Sequence, residues 1–169
     1  RNLKLLEAEF TDSDNKKRLY SYLAETYQYL GNLEQAEYYS RLDISSGVKN
    51  VTYASKSYRV LIEILKNDYT KADELKLLLE KAIEEFPILP EFRAEYALLF
   101  AEQFNYDSAI DNMEKAIEIA GNYYGIEPTV FDINKIGIAN KLIAEWKEIS
   151  KTKIRISACV ITKNEEKNI

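Results

Sequence analysis

Two stretches of this chain repeat one another at a fixed stride, and the stride narrows the possible folds more than any other feature. Leu75, Leu79, Ala82 and Pro87 are answered by Ala109, Met113, Ala116 and Gly121, each 34 residues after its counterpart. The first three of each set are spaced to share one helix face, and Pro or Gly then ends the helix. A recurrence of this size marks stacked helical hairpins, because one hairpin alone cannot bury its apolar face. The expected fold class is all-α: a solenoid of helical hairpins, about three repeats plus a C-terminal capping helix.

Taken in order, Leu3, Leu6 and Phe10 have helical spacing and end at the capping run Thr11–Asp14. Tyr20, Leu23, Ala24, Tyr27 and Leu30 form an amphipathic stripe over 14–30, which Gly31-Asn32 breaks to allow a tight reversal into a helix carrying Ala36 and Tyr39. Ser45-Ser46-Gly47 ends that helix. Val51, Ala54, Tyr58, Leu61 and Leu65 mark the next one. Thr70–Asp73 has the form of a capping box opening a helix over 70–86, with Asp in place of Glu. The middle unit is longer than its neighbours, since Ala36 to Leu75 spans 39 residues.

Pro90 suits a helix first turn, Tyr96, Ala97 and Phe100 line that helix, and Asn105-Tyr106-Asp107 turns the chain into the helix ending near Ala120. A long helix is expected from Pro128 or Thr129 to about Ser150. Val130, Ile133, Ile136, Ile138, Leu142, Ile143 and Trp146 are available to cover the last apolar face.

The slots Tyr20, Leu23-Ala24, Tyr27, Gly31 and Ala36 match the aromatic, Leu-small, aromatic, turn and Ala positions of a tetratricopeptide repeat, and Arg1–Ile44 resembles that family. Small residues at Ala24 and Ala36 let paired helices approach closely. Ser40 and Asp43 depart from the family pattern, which prefers a bulky apolar residue and Ala there. The resemblance implies a concave groove lined by Arg18, Ser21, Glu25, Gln28 and Tyr29, and in the third unit by Glu91, Ala94, Leu98, Ala101 and Glu102. With Ser21 and Glu25 where the carboxylate-binding version has Lys/Arg and Asn, capture of a peptide C-terminus is not expected. A mildly acidic groove with an exposed Tyr suits a basic or extended peptide, or a saccharide.

Composition removes most catalytic readings. The chain has no histidine, so neither Ser-His-Asp nor Cys-His machinery can be built. Cys159 is its only cysteine, leaving no internal disulfide or thiolate metal site. No catalytic residue and no metal ligand is singled out; Glu84-Glu85 and Glu165-Glu166 point about 100° apart on a helix and converge on nothing. With 23 Lys+Arg against 28 Asp+Glu and no basic stripe, nucleic acid is not an expected partner. No run reaches the roughly 18 apolar residues a membrane span requires. With no signal-peptide pattern in Arg1–Lys4, a cytoplasmic location is expected.

The tail changes character. Ile154–Ile161 is β-branched and partly alternating, a strand pattern, and Asn164 can cap a helix behind it. The run Ile156–Ile169 resembles the opening strand and V-x-x-N-E-E loop of family 2 (GT-A type) glycosyltransferases, often fused to Tyr-rich tetratricopeptide repeats in bacteria. The resemblance implies a helical repeat domain over 1–152 and the start of an α/β transferase domain over 153–169. Thr162, Lys163, Asn164 and Glu165 then fall on the nucleotide-sugar side. It further implies a parent enzyme using a nucleotide sugar and a divalent metal. No Asp-x-Asp motif and no catalytic base follow Ile156 in these residues, so they are expected to hold no cofactor and to transfer no sugar. The expected function is non-catalytic recognition of a protein, peptide or glycosylation acceptor. The alternatives are a free-standing adaptor or peptide-binding regulator, or a homo-oligomerisation scaffold.

Overall fold

The computed structural model describes residues 4–5, 16–47 and 52–165, with side chains as far as 152. The readings placed on Leu3, Leu6, Phe10, 11–14 and Val51 lie outside the described residues. Those that remain form α1 (Tyr20–Tyr29), α2 (Leu33–Ser46), α3 (Lys56–Leu65), α4 (Ala72–Glu85), α5 (Pro90–Glu102), α6 (Tyr106–Gly121) and α7 (Ile136–Glu165). Short 3-10 turns at Lys16–Leu19, Tyr69–Lys71 and Ile133–Lys135 precede α1, α4 and α7. The described residues are all-α, without a strand.

The chain divides into two compact units, Arg1–Pro87 with Gly125–Pro128, and Ile88–Tyr124 with Thr129–Ile169. In the first, α1 contacts both α2 and α3, and α4 packs on α3. Ala24, Ala36 and Val60, one from each of the first three helices, are buried together beneath Tyr27, Tyr39 and Ile64. Side chains this small allow three backbones to converge. Farther along, Leu61, Leu65, Leu75, Leu79 and Ala82 are buried, and Tyr58 meets Phe86 edge-on at 5.5 Å between ring centroids. Burial pushes the Tyr58 hydroxyl up to about 12, helped by the Asp43 carboxylate.

In the second unit α5 pairs with α6, and α7 packs on α6. Its core joins Ala94 and Ala97 of α5, Ala109, Met113, Ala116 and Ala120 of α6, and Ala139, Ile143 and Trp146 of α7. All six helical positions of the 34-residue register are buried: Leu75, Leu79, Ala82, Ala109, Met113 and Ala116.

Two hairpin turns carry the same hydrogen bonds 73 residues apart. Gly31 N–H donates to the Gln28 carbonyl and Asn32 N–H to Tyr27, at 3.0 and 2.9 Å; Phe104 and Asn105 donate to Ala101 and Phe100 at the same distances. This is the Schellman closure, in which the two residues past the helix end satisfy its last carbonyls. It needs a left-handed residue, supplied by Gly31 (φ 75°) and by Phe104 (φ 59°). Asn32 and Asn105 then cap α2 and α6, their side chains accepting from the Gln35 and Ser108 N–H at 3.2 and 3.3 Å.

Three expectations are corrected. Thr70 does not cap α4: Asp68 accepts from the Thr70 N–H and hydroxyl, at 3.0 and 2.6 Å, and winds a 3-10 turn before Ala72. The last helix starts at Ile136, because Thr129 bonds Glu91 and the Phe131 N–H, and Asp132 caps the Ile133–Lys135 turn. Val130, Ile133 and Ile138 are therefore exposed rather than packed. The strand read into Ile154–Ile161 is absent: α7 continues to Glu165. β-branched residues favour strands, but a strand without a neighbour leaves its N–H and C=O groups open, whereas a helix pairs them within the segment.

Candidate recognition site on the first three helices

A cavity of about 170 Å³ in the first unit is bordered by Glu25 and Gln28 of α1, Lys56, Arg59, Val60 and Glu63 of α3, and Tyr53, Glu127 and Pro128 from the connections. Helical spacing sets the α3 contribution: Lys56, Arg59, Val60 and Glu63 recur at three and four residues and so share a face.

Among them Lys56 has its Nζ 2.7 Å from Glu25 Oε2 and 4.6 and 4.5 Å from the centroids of the Tyr22 and Tyr53 rings. An ammonium over aromatic faces is attracted by the ring quadrupole, and the Lys56 side chain is only 11% exposed. Glu127 also borders the cavity and is buried. Its Oε1 accepts from the Ser55 N–H at 3.1 Å and the Ser55 hydroxyl at 2.5 Å, placing a carboxylate at the start of α3. Arg59 lies 3.7 Å from the same oxygen and donates to the Pro128 carbonyl at 2.7 Å.

The groove residues expected from sequence are distributed as follows. Glu25 and Gln28 border the cavity. Ser21 is buried, Arg18 is exposed in the turn before α1, and Tyr29 ends α1 with 85% exposure. In the second unit Glu91 is buried and accepts from the Thr129 hydroxyl at 2.5 Å, while Ala94 belongs to the core. Leu98 and Glu102 are exposed one turn apart on α5, with Ala101 half-buried. Thr162, Lys163, Asn164 and Glu165 fall in the last turn of α7, their side chains outside the described residues.

Reading the sequence alone missed Lys56, Arg59, Glu63 and Glu127. From α1 to α3 the offset by helix start is 36 residues (Tyr20 to Lys56) rather than 34, so the 34-residue register gave no signal for Arg59 and Glu63. Glu127 had none either; it reaches Ser55 across 72 residues of sequence.

A second cleft, of about 330 Å³, is lined by apolar side chains that include Ile44, Leu61, Leu65 and Leu77. Arg41 and Glu74 also line it, and Arg41 Nη2 lies 2.5 Å from Glu74 and 2.7 Å from Glu37. The Arg41 hydrogen bond holds the Glu37 carboxyl below the usual glutamate range.

Among the described residues no group of three His, Cys, Asp or Glu side chains could hold a metal ion, and no helix is long and apolar enough to cross a membrane. No family model matches the chain, and no curated protein or solved structure matches it either.

Proposed function

We propose that the chain is a non-catalytic, tetratricopeptide-like recognition module, and that α1 and α3 carry its binding face. The observation that carries this reading is the cavity in which Glu25 and Gln28 of one hairpin face Arg59 and Glu63 of the next. The repeated Schellman turns and the buried Ala pairs, Ala24 with Ala36 and Ala97 with Ala109, support its tetratricopeptide character. Such hairpins present helix faces rather than strained loops, which suits selection of a partner more than bond-making.

The module serves a family 2 glycosyltransferase by presenting a protein or acceptor to it. That part rests on the sequence Ile156–Ile169 alone, and a nucleotide sugar with a divalent metal belongs to that enzyme. An Asp-x-Asp in an α/β pattern beyond Ile169 is the expected companion, and a chain without one would remove this part.

Two assays test the module itself. Incubation with nucleotide sugars should give neither hydrolysis nor transfer, and turnover would overturn the non-catalytic reading. Against a panel of short peptides and oligosaccharides, Glu63→Ala should weaken binding about tenfold, and Leu98→Ala on α5 should leave it unchanged. The reverse pattern would move the binding face off α1 and α3.

A further inference from the structure

The cavity between α1 and α3 borders five ionised side chains, and each is balanced by a neighbour. Glu25 is neutralised by Lys56 at 2.7 Å, Glu63 by Lys66 at 2.6 Å, and Arg59 and Glu127 by each other at 3.7 Å. A charged ligand would have to break one of these pairs, or settle beside charges already compensated and gain little. Hydrogen-bonding capacity nevertheless remains. The Gln28 amide and the Tyr53 hydroxyl make no hydrogen bond among the described residues, and Glu25 engages Lys56 through Oε2, leaving Oε1. Val60 and Pro128 add apolar surface between these polar groups.

Resting on the reading of α1 and α3 as the binding face, we propose that this cavity takes a neutral polyhydroxylated ligand, one sugar unit of a saccharide. At about 170 Å³ it has the room of five or six waters, at about 30 Å³ each. That suits a single ring better than a chain of residues. A sugar offers hydroxyls around its rim and C–H patches on its faces, which matches an amide, a carboxylate oxygen and a phenol set around small apolar surfaces. Neutrality is the selective feature, since each charge bordering the cavity already has an ion-pair partner and offers a charged ligand little.

The test is calorimetric titration of the chain with glucose, galactose, N-acetylglucosamine and cellobiose, and separately with trilysine and triglutamate. At least one sugar is expected to bind. Its affinity should be unchanged between about 0.01 M and about 1 M salt, while the Debye length falls from about 30 Å to about 3 Å. Gln28→Ala should weaken it about tenfold, with the urea midpoint of unfolding unchanged. Salt-sensitive binding of a charged tripeptide that responds to Gln28→Ala would overturn the sugar assignment and leave the α1–α3 binding face standing. If no probe binds, or binding ignores Gln28→Ala, both the assignment and the face fail.

Discussion

The turns closing α1–α2 and α5–α6 share their hydrogen bonds and their Asn caps, yet one holds Gly31 and the other Phe104 at the left-handed position. The two hairpins thus specify one shape by different means. What they share is upstream and downstream of the turn: Ala24 with Ala36, and Ala97 with Ala109, all fully buried where the paired helices touch. Close helix contact and an Asn that starts the return helix dictate the reversal, and the residue at its apex adapts. The turn between α3 and α4 shows the contrast. There Asp68 winds a 3-10 turn, and no residue from Lys66 to Lys71 has positive φ.

The largest expected difference between the hairpins lies in their second helices, where Ser40 and Met113 are equivalent and both buried. Met113→Ala should destabilise by about 2–5 kcal/mol, because it opens a cavity in a packed core. Ser40→Ala should be neutral or stabilise by up to about 1 kcal/mol, because the Ser40 hydroxyl is buried without a hydrogen-bond partner among the described residues. Urea unfolding of both variants measures this, and equal losses would show that the two cores are built alike.

Enlarging the contact alanines should hurt both hairpins equally. Ala36→Leu and Ala109→Leu should each cost about 1–3 kcal/mol by overpacking. If one is tolerated, the shared-contact explanation of the shared turn breaks.

Exchanging the apex residues gives a smaller effect of opposite sign at the two sites. A Cβ added at Gly31 meets nothing within 4 Å, so Gly31→Ala is penalised by backbone conformation alone, about 1 kcal/mol. Phe104→Gly relieves that same penalty but loosens the unfolded chain, for a net gain of about 0.5 kcal/mol. Thermal denaturation should move in opposite directions for the two variants, and a loss in both would mean that Phe104 packing matters more than its backbone.

The smallest expected difference is one of pH. Glu37 has Ile110 as its counterpart, so its link to Arg41 belongs to the first hairpin alone. Its carboxyl is held below the ordinary glutamate value, chiefly by the Arg41 hydrogen bond. The stability it contributes is therefore present above that ordinary value and lost as pH falls through the depressed one. Glu37→Gln should flatten that part of an acid stability profile, and a variant with the native profile would remove Glu37 from the account.

Much of this was legible beforehand, for physical reasons that particular residues make plain. Leu75, Leu79 and Ala82 repeat as Ala109, Met113 and Ala116 because each set faces a neighbouring helix, and periodic burial writes itself into sequence. Gly31 announced its turn, but Phe104 could not, since nothing about phenylalanine signals positive φ. Glu25 and Gln28, which border the cavity, were named from the repeat frame, whereas Glu127 comes from a distant loop that no local pattern connects to α3. The β-branched tail read as a strand because propensity is local, while strand formation depends on neighbours.

The most direct test of the central claim is a two-dimensional NMR titration of the chain with the ligand panel, following every assigned backbone amide. Shifts concentrated on α1, on α3 and around Tyr53 and Glu127 are the predicted result. Shifts confined to α5, α6 and α7, or none with any probe, would contradict it.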